Sequence, residues 1–192
     1  PQSGEKFWQD AERLYYCALI GYIWTVAPPE ERNMATLLTL IENSVTSEED
    51  EHYQNPVDFL FAELEAQQPD CFAVRQYHKY KLASGKTAKS ILISCGARLA
   101  PFDIAELEEL MVDDELDLDL TGDRRTALFV ITSDTNSTFN FIAAIMYSQL
   151  FTLLCDKAAY DYDGRLPIHV RFLLDEFANI GRIPDFEQMI SV

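Results

Sequence analysis

The feature that most constrains this chain is a change of pattern at Thr126. "TALFVITSD", residues 126–134, is a compact apolar run rich in β-branched residues and bounded by polar ones. "IHVRFLLDE", residues 168–176, is a second run of the same kind. Between them, "STFNFIAAIMYSQLFTLLCDKAAY" reads as a long helix with Ser137 as its N-cap, and "DYDGRLP" as a turn. Strand, helix, strand within about 50 residues predicts a βαβ crossover, which implies parallel pairing and a right-handed connection. Strands this apolar belong to the buried part of a sheet. Two of them cannot cover both faces and both edges of one, so the pattern requires further strands.

The part before residue 123 reads as helices. Phe7/Trp8, Ala11, Leu14/Tyr15, Ala18/Leu19 and Tyr22/Ile23 recur at i, i+3/i+4 spacing, which predicts an amphipathic helix ended by Pro28-Pro29. Pro29 suits the first turn of a second helix, with Glu30 and Glu31 complementing its dipole and Leu37, Leu38, Ile41 and Val45 forming its buried stripe. "TSEEDEHYQN" is a loop. Pro56 opens a third helix carrying Phe59, Leu60 and Leu64, and Pro69 stops it. "DCFAVRQYHKYKLA" is a fourth, with Asp70 as N-cap; "SGKTAKSILISCGARLAPF" is a fifth, with Ile91, Leu92, Cys95 and Leu99 on one side. "DIAELEELM" is a short sixth, and "VDDELDLDLTGD" is a short strand or an extended linker. The expected fold class is mainly α with a small α/β part: an all-α domain over 1–122 and an α/β portion over 123–192.

Composition narrows the functions open to such a chain. Its 192 residues carry a formal net charge of −17, which argues against a broad electrostatic surface for nucleic acid. The charge fits a basic protein partner or a well-solvated surface. Cys17, Cys71, Cys95 and Cys155 are far apart and lie among apolar neighbours, so they read as reduced, buried thiols rather than metal ligands. The longest uncharged stretch, Leu14 to Pro29, falls short of the ~20 apolar residues a membrane span needs and reads as a core helix. The chain opens at Pro1 without Met and closes on "MISV", and reads as a segment of something longer.

Asp175 and Glu176 stand directly behind the second apolar run. An apolar strand ending in Asp-Glu is the Walker B pattern of P-loop ATPases. In an open α/β sheet ligands sit at the carboxyl ends of the strands, where an Asp can hold Mg²⁺ and a neighbouring Glu can polarise the attacking water. The pattern alone is weak, because any strand can end in acids that cap the next turn. "LASGKTAKS" mimics the end of a phosphate loop, but Tyr80 stands where its first glycine belongs and the residues before it read as helix. Lys86 and Lys89 are therefore expected to be surface residues near a helix start.

The residues around the acids add specificity. "FLLDEFANIGRIPDFEQMIS" resembles the Walker B region of the TraG/VirD4 family of type IV secretion coupling proteins. "TALFVITSDTNSTFNFIAAIMYSQLF" is similar to that family's preceding strand and helix, and "FWQDAERLYYCALIGYIW", "PPEERNMATLLTLI" and "SGKTAKSILISCGARLAPF" to its all-α domain. The resemblance implies an all-α domain inserted in a RecA-like P-loop NTPase domain, of which this chain would hold one βαβ unit. It implies a membrane-anchored homo-hexamer whose cytoplasmic portion links relaxase and other relaxosome proteins, with single-stranded or plasmid DNA, to the secretion channel and drives transfer with Mg-ATP. By position, Asp175 is then the Mg²⁺-associated acid and Glu176 the catalytic base. Ser133 and Asp134 fall near the nucleotide edge or a subunit interface. The family's transmembrane helices, Walker A segment and later strands have no counterpart here. The expectation is a fragment, monomeric or associating through strand edges, that lacks ATPase activity by itself. A non-catalytic module that binds relaxase or accessory proteins is the alternative, and an unrelated α/β domain whose acids cap a turn is a third.

Overall fold

Helix α1 (Ser3–Val26) is the axis of the helical part of the chain. The computed structural model describes residues 3–47, 50, 53–83, 85–133, 135–175, 177–181, 183 and 186–189. Two compact units emerge, Pro1–Asp114 and Glu115–Val192. In the first, α2 (Met34–Glu42), α3 (Pro56–Gln67), α4 (Phe72–Lys81), α5 (Gly85–Leu99) and α6 (Ala105–Leu110) follow α1. The protein is mainly helical, as its periodicity predicts.

The core of the first unit is built on one stripe of α1, where Tyr15, Ala18, Leu19 and Ile23 are buried against Phe61, Ala73, Val74, Tyr77 and Ile91. The stretch from Leu14 that could suggest a membrane segment is thus a core helix. Gly21 lets α4 approach closely: a Cβ there would meet the Cβ of Ala73 at 3.1 Å. Aromatic rings fill the space between helices, with Phe61 stacked on Tyr77 at 3.8 Å and Tyr15 on Tyr80 at 4.1 Å. Such pairs contribute about 0.5–1.5 kcal/mol beyond the area they bury. Two of the hydroxyls have partners: Tyr15 donates to the Ser44 hydroxyl, which donates to the Leu40 carbonyl, and Tyr77 donates to Asp58 at 2.8 Å. Burial pushes the Tyr15 and Tyr77 phenols well above their ordinary range, so both stay neutral donors. Glu12 is only 3% exposed and is held by Arg98 Nε at 2.5 Å and by the Ser94 hydroxyl. An unpaired carboxylate there would be very costly.

The helix starts differ from expectation where two start signals compete. Pro29–Glu31 is an isolated 3₁₀ turn, and α2 begins only at Met34, because the Asn33 side chain accepts the Thr36 N–H at 3.0 Å. Asp70 does not cap α4; Cys71 holds that position, and the Asp70 carbonyl accepts from Arg75 at 2.8 Å. On α3 the inward positions are Val57, Phe61 and Leu64, while Phe59 faces outward; Val45 is exposed beyond the end of α2. Of the four thiols only Cys95 is buried; the other three are half-buried. Burial pushes the Cys95 thiol up to about 11.

The second unit is built on α7 (Asn140–Tyr160). By length and composition this helix could cross a membrane, but here Leu150 and Leu154 close a small core with Leu118, Leu166, Val170 and Phe172. The segment expected as strand or linker forms a 3₁₀ turn at Leu118–Leu120. Gly122 takes φ +91°, and a Cβ there would meet Leu166 at 3.1 Å, so this turn favours glycine on both counts. Lys157 bonds the Asp119 carbonyl and the Asp123 carboxylate, locking the turn to α7. The helix starts at Asn140 rather than beside Ser137, whose carbonyl accepts the Asn140 N–H at 3.1 Å.

The two apolar runs form no strand ladder among the described residues, where one isolated bridge, Thr121 to Arg124, is the sole pairing. Both runs line the same cavity of about 460 Å³. Phe129, Ile131 and Leu173 are 84%, 94% and 86% exposed, although their composition predicts buried strands. Composition favours β structure, but a ladder needs a neighbour for each N–H and C=O, and these two runs do not supply one another.

Asp58 joins the start of α3 to α4. It closes a reciprocal capping box with Asn55, accepts from Tyr77 and pairs with Lys81 at 2.8 Å. Burial opposes its ionisation, but Lys81, the Asn55 N–H and the Tyr77 hydroxyl together hold its carboxyl below the usual range. A depressed folded value stabilises at pH above the ordinary carboxylate range, and that stability is lost as pH falls through the folded value. Asp58→Asn is expected to cost about 2 kcal/mol near neutral pH by urea denaturation, a loss that shrinks as the pH drops below the carboxylate range.

Candidate functional site

The site is built at the end of the second apolar run. Asp175 is exposed there, directly ahead of a 3₁₀ turn at Phe177–Ile180. Rings on both sides of the acid anchor this segment to α7. Before it, Phe172 packs on Phe151 at 4.6 Å. After it, Phe177 meets Tyr147 edge-on at 6.1 Å, and Phe186, on the short helix α8 (Phe186–Met189), packs on Phe151 and Phe177. Ile180 and Ile183 are buried below the turn, and Gly181 between them adopts φ +93°, where glycine is favoured. Half-buried Phe172 before the acid and buried Ile180 and Ile183 after it flank an exposed carboxylate.

A hydrogen bond completes the anchoring. Asn140, at the first turn of α7, is 8% exposed, and its Nδ2 donates to the Asn179 carbonyl at 2.6 Å. This bond ties the turn after Asp175 to the chain that leaves the first apolar run. Ser133 lies on that chain. Its hydroxyl accepts the N–H groups of Thr135 at 3.3 Å and Asn136 at 3.2 Å, and the Asn136 side chain accepts the Thr138 N–H at 2.9 Å. Ser133 therefore shapes the turn into α7. Glu176 and Asp134, the other two residues expected at the site, lie outside the described residues. Asn140 and Asn179 were not expected. In sequence Asn140 is a single polar residue between Phe139 and Phe141, a pattern that reads as a surface position at a helix start.

The chemistry open to the site is that of a hard oxygen donor. An exposed carboxylate is a donor of the kind taken by Mg²⁺, which uses one or two protein carboxylates and completes its shell with water and phosphate oxygens. A phosphate cradle is not found with it. Gly85-Lys86-Thr87 open α5 in the other unit and follow α4, so the strand, loop and helix order of such a cradle is absent there. Asp175 offers one such oxygen donor, and among the described residues no group of three or more His, Cys, Asp or Glu gathers into a metal site.

A family described as type IV secretory system conjugative DNA transfer matches residues 1–192. No curated protein and no solved structure matches the chain.

Asn140→Ala leaves the Asn179 carbonyl without its donor and should cost about 1–2 kcal/mol. Hydrogen exchange should quicken for the amides of Ile180 and Ile183 while the α1 amides keep their protection. Unchanged exchange at both isoleucines would show that the aromatic packing suffices without this bond.

Proposed function

The chain belongs to the family of conjugative DNA transfer proteins of type IV secretory systems, and from that membership we propose that it is a segment of a coupling protein, the ATPase that delivers DNA to the secretion channel. The process, conjugative DNA transfer at a membrane-associated secretion machine, follows from the family. The motor role is our reading, and the observation that carries it is the anchored carboxylate of Asp175 at the end of an apolar run.

In this reading the runs at 126–133 and 168–175 are strands of a RecA-like sheet, joined by α7 as a crossover. Their exposed apolar side chains and shared cavity support it, since each run offers a surface that neighbouring strands would cover. Asp175 would hold Mg²⁺, directly or through water. Glu176 takes a proton from the attacking water, and Ser133 and Asp134 lie at the nucleotide edge or facing the next subunit of a homo-hexamer. Bound Mg-ATP supplies the phosphoryl group that this water attacks. The 192 residues contain no GxxxxGK[ST] loop, so the phosphates must be held by another part of the machine. The first unit, with its own core, serves as the recognition domain for relaxase and other relaxosome proteins, and transferred DNA is handled by the complete assembly.

A second reading keeps the first unit as a recognition module and gives the acids no chemistry. The separate core of that unit favours it. The two readings divide on Glu176→Gln in the complete protein. The motor reading expects turnover of ATP to fall by about 10²–10⁴-fold with nucleotide binding retained, and conjugative transfer to fall with it. Unaltered turnover and transfer would leave only the recognition role. For the 192-residue chain alone, titration calorimetry with Mg-ATP should show no appreciable heat; micromolar binding would contradict the assignment of the phosphate site to another segment.

A further inference from the structure

The first unit is not uniformly acidic. Residues 71–102 contain Arg75, Lys79, Lys81, Lys86, Lys89 and Arg98 and not one Asp or Glu, in a chain of net charge −17. These residues form α4, α5 and the turn after it, and where α4 and α5 meet the first half of α1 they frame an open groove of about 370 Å³. Its walls include Phe7, Leu14, Tyr80, Leu82 and Ile91, and Lys79 stands on its edge. Tyr80 and Ile91 are buried and form a firm floor. Leu82 and Phe7 are 85% and 54% exposed, with Trp8 packed edge-on against Phe7 at 5.3 Å.

Two of these cations have carboxylate partners. Lys81 is held by Asp58 and Arg98 by Glu12, so those two serve the fold. Lys79 bonds Gln76, a neutral group, at 3.4 Å, which leaves its charge uncompensated by that bond. Lys86 is exposed in the first turn of α5, next to Thr87, which also lines the groove. We infer that this groove is a docking site for a partner protein's amphipathic acidic segment, with apolar side chains on the floor and carboxylates against Lys79 and Lys86. The inference rests on the reading of the first unit as the recognition domain and names the chemistry it recognises.

Charge complementarity selects this occupant. The walls are mainly apolar, which suits anchors spaced i, i+4 on a helix better than phosphates. A long polyanion such as single-stranded DNA would meet the repulsion of the whole −17 chain, whereas a short segment with a few carboxylates meets chiefly the local lysines. A second copy of the chain would bring the same repulsion.

The test uses the 192-residue chain and three labelled probes in fluorescence anisotropy: an amphipathic helical peptide with Leu at i, i+4 and i+7 flanked by Glu, the same peptide with Lys for Glu, and oligo-thymidylate. The acidic peptide should bind best. Its affinity should fall at least about tenfold in the double variant Lys79→Glu/Lys86→Glu and in Leu82→Asp. These residues are exposed, and an unchanged circular dichroism melt would certify folding. No binding of the acidic peptide at millimolar concentration, equal binding of the lysine peptide, tighter binding of oligo-thymidylate, or unchanged affinity in both variants overturns the proposal. Each of these failures leaves ATP turnover by the complete protein untouched, so the motor reading stands or falls separately.

Discussion

One buried side-chain amide organises the second unit. Asn140 faces inward at the start of α7, and its bond to the Asn179 carbonyl fixes the turn that follows Asp175. An inward-facing amide is costly unless it is paired, so the bond specifies one arrangement of the two chain segments it joins. Phe172, Phe177 and Phe186 then pack on the same helix and hold the acid between them. The carboxylate is exposed while Phe172 before it and Ile180 and Ile183 after it turn toward the core. A metal ligand needs this combination of fixed position and access to water.

The first unit solves a different problem. It has to bury rings that carry hydroxyls, and three of them have acceptors: Ser44 for Tyr15, Asp58 for Tyr77, the Cys95 carbonyl for Tyr16. The same economy governs charge. Glu12 and Asp58 are placed where Arg98 and Lys81 reach them. A unit with its own satisfied core can present its surface to a partner independently of the acids in the other unit.

How much of this could be read from sequence depended on the range of the interaction involved. The stripe on α1 is local and periodic, and the helix stands where the spacing puts it. Helix starts are local too, but two signals competed: Pro29 and Asn33 both mark a start, and the Asn33 side chain decides because it satisfies the Thr36 N–H. Ser137 contributes a carbonyl to the Asn140 N–H instead of a cap, and the cap position falls on Phe139 with no side-chain bond. Pairings such as Glu12 with Arg98 join residues remote in sequence and leave no local trace. The runs at 126–134 and 168–176 were legible as strand-forming composition, yet a ladder is a property of neighbours, and these runs lack neighbours among the described residues. Asp175 was legible because an acid ending an apolar run is a local break in pattern. Asn140 was not, because one polar residue at the start of a helix reads as a surface position.

The central claim is that Asp175 belongs to a nucleotide site completed by residues outside this chain. The most direct measurement is a structure of the complete protein with a bound Mg²⁺–nucleotide, read for the distance from the Asp175 carboxylate to the metal. The account predicts direct or single-water contact, within about 5 Å. A carboxylate more than about 10 Å from the metal, with the ion held by other acids, would contradict it.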